Sequence, residues 1–149
     1  MTEVLFYQLQ RSPLAKVLPK LLEKTLSEGE RAVVIAGSEE RVEAIVGELW
    51  TYHPDSWLPH GSAQDGNADL QPIWVTARDE NPNGARYLFL VDGADVRDLD
   101  RFRRCIDLFD GKDEAAVEAA RARWRARRTA GHEVTFWQQD EEGRWQRRT

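Results

Sequence analysis

The stretch RAVVIAGSEERVEAIVGELW, residues 31–50, governs how the rest of the chain reads. Arg31 to Ala36 is a short, nearly unbroken apolar run, the pattern of a strand covered on both faces. Gly37-Ser38 interrupts it. From Glu39 to Trp50 the apolar residues Val42, Ile45, Val46, Leu49 and Trp50 gather on one face of a helix. The same unit stands upstream. Val4 to Leu9 (VLFYQL) has the aromatic and branched composition of a strand, with Ser12 as helix N-cap and Pro13 as a first-turn residue. Leu14, Val17, Leu18, Leu21, Leu22, Thr25 and Leu26 then repeat at helical spacing up to Gly29. Pro19 either bends that helix or marks a later start, because it has no N–H to donate. Two successive βα units with buried-type strands imply an α/β fold with a largely parallel sheet covered by helices.

Downstream, Thr51 to Gln71 is irregular apart from a short extended patch at Trp57–Leu58. Ile73 to Thr76 is a short strand, ARDENPNGAR (77–86) a polar turn, and Tyr87 to Val91 another strand of the buried type. A helical turn follows over Leu99 to Arg103, then a strand from Cys105 to Phe109. Asp110-Gly111 turns the chain into a long helix from Asp113 to about Ala130, which Gly131 ends. Val134 to Trp137 is a last strand, and the polar tail DEEGRWQRR (140–148) either extends it or frays. With no repeat and no low-complexity linker, residues 1–149 read as one domain.

Composition narrows the function. The chain is 41% hydrophobic and 32% charged, which fits a soluble globular protein. It lacks any apolar run near the roughly 18–20 residues of a membrane span. The opening MTEVLFYQLQ has no basic region followed by a long apolar one, so export is not expected and a cytoplasmic location is. One cysteine permits no internal disulfide; Cys105, within CIDLF, reads as buried filler. A net charge of −5 disfavours polyanions, so no direct nucleic-acid binding and no membrane association is expected.

No constellation for catalysis stands out. The Ala36–Ser38 turn sits where α/β folds bind phosphates, but it carries neither phosphate-loop fingerprint; a nucleotide- or phosphate-ester-binding enzyme using that turn is the alternative reading. The segment HPDSWLPHGSAQDGNAD (53–69) offers His53, Asp55, His60, Asp65 and Asp69, yet their spacing matches no metal pattern and a solvated loop is expected. His132 has no paired serine or cysteine nearby. No cofactor, no metal and no catalytic residue is expected.

Two other stretches carry more. RARWRARR (121–128) holds five arginines in an acidic chain. On a helix Arg121, Arg125 and Arg128 share one stripe, bordered by Val117 and Trp124, with Phe109 just upstream. The opposite side has Ala115, Ala119, Ala122, Ala126 and Ala130, small enough to lie against a sheet. The residues alone leave two readings open. The stripe is a solvated face, with Glu114 and Glu118 pairing to Arg121 or Arg125, or it grips an acidic peptide with a greasy end. The second stretch, LWTYHPDSWLPHG (49–61), places two of six tryptophans beside two prolines in irregular chain, which is either a satellite core or a protein-contact patch.

These stretches, in order, resemble the chi subunit family of bacterial DNA polymerase III. The likeness is carried by VLFYQL, the helix ending at Leu49–Trp50, SWLPHG (56–61), QPIW (71–74), CIDLF, the arginine-rich helix, and AGHEVTFW (130–137). It implies a Rossmann-like, three-layer domain and a non-catalytic accessory subunit, part of a DNA-directed DNA polymerase complex. It also implies a link between clamp loader and single-stranded DNA-binding protein, made by gripping that protein's acidic C-terminal tail. By the resemblance, Arg121 and Arg128 correspond to basic positions on the tail-binding face and Phe109 to an apolar pocket residue. A further basic position of the family, a turn before Arg121, is Val117 here, with one residue inserted between Asp110 and Asp113. Either Arg125 takes over that charge, the correspondence shifts, or the tail is held more weakly. Trp50, Trp57, Leu58, Pro59 and His60 correspond to the surface that docks a psi subunit, with a clamp-loader subunit or an XPD-type helicase as other occupants.

Overall fold

The structure, a computed structural model, describes residues 1–52 and 58–148. Among the described residues seven strands form one sheet: β1 (Glu3–Leu9), β2 (Ala32–Ile35), β3 (Ile73–Thr76), β4 (Tyr87–Leu90), β5 (Arg104–Asp110), β6 (Glu133–Gln139) and β7 (Trp145–Arg147). Their spatial order is β3-β2-β4-β5-β1-β6-β7. Every pairing is parallel except β6 with β7, a hairpin at the edge. The α-helices among the described residues are α1 (Leu14–Ser27), α2 (Glu39–Thr51) and α3 (Glu114–Thr129). The expected α/β class, a mostly parallel mixed sheet between helical layers, is what the chain adopts.

The connections explain the layers. The β1–α1–β2 crossover runs toward one edge of the sheet and β5–α3–β6 toward the other. Right-handed crossovers in opposite directions put their helices on opposite faces. Alternation along each strand then divides the core in two. Leu5, Tyr7, Val34, Phe89, Ile106 and Leu108 face α1 and α2. Val4, Phe6, Val33, Leu88, Cys105 and Phe109 face α3 and the 94–102 segment. The switch in direction leaves a crevice at the carboxyl ends of β1, β4 and β5, the usual ligand edge of such sheets.

Several boundaries differ for local reasons. Pro13, not Ser12, is the N-cap of α1; the Ser12 hydroxyl instead accepts from the Gln139 amide at 3.1 Å. Pro19 lies buried inside α1, so the later start is excluded. Ser38 caps α2 by accepting from the Arg41 N–H, and Asp113 caps α3 from Ala115 and Ala116. Gly131, at φ +89, supplies the left-handed residue that ends α3. The tail extends the sheet as β7, Trp145 packing on Tyr7 at 4.8 Å. The patch expected at Trp57–Leu58 falls partly outside the described residues. No helix among those described is long and apolar enough to cross a membrane.

Candidate functional site

Helix α3 does not lie on the sheet as its alanines suggest. Ala115, Ala119, Ala122, Ala126 and Ala130 are exposed, and the inward face is instead Ala116, Ala120, Arg123 and Arg127, flanked by Val117 and Trp124. The difference is a rotation of roughly 100° about the helix axis. Its cause is Asp107, which sits mid-strand on β5, faces α3 and is 2% exposed. Arg123 reaches it bidentately, Nε to Oδ2 at 2.7 Å and a terminal nitrogen to Oδ1 at 3.0 Å. Arg127 closes on Asp95 beside it. A carboxylate buried this deeply without a cation would be very unfavourable, so the helix turns its arginines toward it. Burial nevertheless pushes the Asp107 carboxyl above the usual carboxylate range, with Arg123 opposing. Neighbouring Cys105 is fully buried and its thiol is likewise pushed up, so it stays protonated and inert.

The five arginines therefore divide. Arg123 and Arg127 lock the helix to the core, and Arg121, Arg125 and Arg128 are left exposed on one flank. Arg121 meets Glu118 one turn back at 3.2 Å, a solvent-exposed pair of little net strength. Arg128 lies over the Trp124 ring, 4.7 Å from its centroid. Arg125 has no carboxylate partner among the described residues. Below this flank Val117, Trp124, Val134 and Phe136 are partly buried against one core cluster, an apolar seam between α3 and β6. The Trp124 indole N–H is buried without an acceptor among the described residues. Phe109 is 4% exposed beneath α3; its ring lies 5.9 Å from that of Phe136 in the seam, and it also lines the crevice on the opposite flank. Val134 and Phe136 are the residues that sequence reasoning missed; the parallel register of β1 with β6 is what delivers them under α3.

The second cluster also divides. Trp50 is 52% exposed at the end of α2, its ring 4.4 Å from that of His60. Pro59 is half-buried. Leu58, however, is 2% exposed and belongs to the core under α2, and His60 is buried with Nδ1 on the Leu58 carbonyl at 2.7 Å. Neither is a surface contact, because both side chains are buried, Leu58 in the core cluster with Leu49 and His60 against the Trp50 ring. Trp57, with His53 and Asp55, lies outside the described residues.

The Ala36–Ser38 turn is closed to phosphate. The Gly37 N–H donates to Asp92 at 3.2 Å, and Arg41 holds the same carboxylate at 3.1 Å. An anion there would meet the Asp92 charge directly. At the β1–α1 turn, the N–H groups of Gln10, Arg11 and Ser12 converge on the Gln139 side-chain oxygen at 3.3, 2.9 and 3.1 Å. That cradle, of a kind that elsewhere holds anions, is filled by the chain's own amide.

A family profile described as "DNA polymerase III chi subunit, HolC" matches residues 1–135. The chain belongs to the DNA polymerase III chi subunit family. A curated relative in Rickettsia prowazekii (strain Madrid E), named "Probable DNA polymerase III subunit chi", is 27% identical over 109 residues. The match covers 73% of this chain and 66% of that relative, so the chain spans just under two thirds of the relative's length. In this chi-family chain both α3 and the last strand that builds the seam, β6 as far as Thr135, fall inside the family match.

Proposed function

We propose that this chi-family chain is a non-catalytic accessory subunit of DNA polymerase III, with residues 1–149 acting as one unit in the cytoplasm. On this reading it links the clamp loader to single-stranded DNA-binding protein by holding that protein's acidic C-terminal tail. The observation that carries the proposal is the exposed flank of α3, where Arg121, Arg125 and Arg128 stand beside the half-buried seam of Val117, Trp124 and Phe136. Guanidinium groups engage carboxylates through paired N–H donors, and an adjacent apolar seam accepts a terminal hydrophobic side chain. Arg125, without a carboxylate partner among the described residues, supplies the charge that Val117 cannot. Trp50, its ring against that of His60, is the exposed anchor of a second contact, made to a psi subunit, a clamp-loader subunit or an XPD-type helicase.

The test is a titration of the full chain with an acidic peptide ending in an apolar residue and a free carboxylate. Micromolar binding at low salt that weakens as salt rises supports the reading. Salt-independent binding, or none, overturns it.

A further inference from the structure

The crevice at the carboxyl ends of β1, β4 and β5 has a volume of about 740 Å³, within the range of small-molecule sites. It lies on the opposite flank of α3 from the exposed arginines, and none of Arg121, Arg125 and Arg128 lines it. Its floor is apolar and comes from four elements: Leu9 of β1, Leu14 of α1, Leu108 and Phe109 of β5, and Ala116 and Ala119 of α3. Its charges are not equivalent. The three carboxylates are engaged by the protein itself: Asp92 by Arg41 and the Gly37 N–H, Asp113 by the first turn of α3, and Asp110 by the Lys112 N–H at 2.9 Å. Arg41 and Arg123 are taken up by Asp92 and Asp107. What remains are two exposed cations, Arg11 and Lys112, that pair with no carboxylate among the described residues. Their loops are held together at the rim, because the Gly111 N–H donates to the Leu9 carbonyl at 2.7 Å and a side chain at Gly111 would collide with Gln8 and Gln10. The facing first turn of α1 carries no acidic residue.

We propose that this crevice binds a small amphiphilic anion, a carboxylate or phosphate group held between Arg11 and Lys112 with its apolar body against Leu14, Phe109, Ala116 and Ala119. An apolar floor alone would take any greasy molecule, and two free cations alone any anion; their juxtaposition selects for both properties in one ligand. The site is independent of the peptide-binding reading and goes beyond it.

The experiment follows backbone amide shifts of the ¹⁵N-labelled full chain during titration with 1-naphthyl phosphate, 1-naphthoate, neutral 1-naphthalenemethanol and inorganic phosphate. At least one naphthyl anion should shift the amides of residues 11, 12, 14–16 and 111–119 saturably, at least tenfold more tightly than the neutral alcohol or phosphate alone. The stronger anion identifies the headgroup. Arg11→Glu with Lys112→Glu should weaken binding tenfold or more, and Ala119→Trp, at an exposed lining position, should block it, while Arg121→Ala leaves it unchanged. Equal binding of the neutral alcohol, equal binding of inorganic phosphate, shifts that gather around residues 121–128, or no saturable binding each overturns the proposal.

Discussion

Asp107 and Arg123 meet face to face in the core, one from the middle of β5 and one from the third turn of α3, joined by two hydrogen bonds of 2.7 and 3.0 Å. This pair sets the rotation of α3 about its own axis. It thereby decides which arginines reach solvent, and the exposed arginine flank is a consequence of an ion pair that takes no part in it.

Asp107→Ala leaves a guanidinium without its partner and should destabilise the fold by about 3–5 kcal/mol, measured by urea denaturation. Asp107→Leu combined with Arg123→Met should recover most of that loss, since an apolar pair avoids desolvation of both charges. The pH sign is also determined. The folded-state pKa of Asp107 is raised above its ordinary 3.8 by burial. The native state then holds the proton more tightly than the unfolded one, and this stabilisation is lost as pH rises from that value through the folded pKa. Asp107→Asn should remove this component from the stability–pH curve; an unchanged curve contradicts the assignment.

On the exposed flank, Arg121→Ala should weaken the acidic peptide by about tenfold, the equivalent of one charge-assisted hydrogen bond. Arg144→Ala, in the β6–β7 hairpin, should change it by less than about twofold, because exposed pairs contribute little. Trp124→Ala and Phe136→Ala should weaken binding while leaving its salt dependence intact, whereas Arg121→Ala should flatten it. Isothermal titration at two salt concentrations separates these effects. Equal losses at Arg121 and Arg144 would remove the flank from the proposal.

Trp50 and Leu58, eight residues apart, should behave oppositely. Trp50→Ala removes a half-exposed ring, so thermal unfolding should move little while pull-down of the docking partner falls. Leu58→Ala empties a core position and should cost about 2–5 kcal/mol of stability. A large stability loss at Trp50 with none at Leu58 would contradict the surface position of the one and the core position of the other.

Gln139→Ala should free the N–H groups of Gln10, Arg11 and Ser12 from their common acceptor. Amide hydrogen exchange at those three positions should accelerate, and stability should fall by about 1–3 kcal/mol for the groups left unsatisfied. Unchanged exchange would show that solvent or another group already serves them.

Much of the architecture was legible beforehand. The runs at 31–36, 73–76 and 87–91 are strands because residues buried on both faces need no polar alternation, and 39–50 is a helix because its apolar side chains fall on one side. Asp113 and Gly131 at the ends of α3 are local signals whose physics is complete within a few residues, whereas the cap expected at Ser12 moved to Pro13 because the Ser12 hydroxyl is taken by Gln139, 127 residues away. The division within α3 was not legible. Alanine is compatible with contact or with solvent, and an arginine's default place is outside. Nothing within the helix marks Arg123 as different from Arg121; the mark is a carboxylate sixteen residues away on another element. Leu58 and His60 escaped for a related reason, since an aperiodic loop carries no pattern that says which side chains turn inward.

Periodicity, punctuation and charge thus established the βα units, the mostly parallel sheet and a helix dense in arginine, all of them properties of neighbours along the chain. Which arginines face water, that Phe136 lies under Trp124's flank, and that a crevice opens beside Phe109 depend on register and crossover direction between distant strands. Those are settled by burial of Asp107 and its neighbours, a free energy that exists only once the sheet has formed.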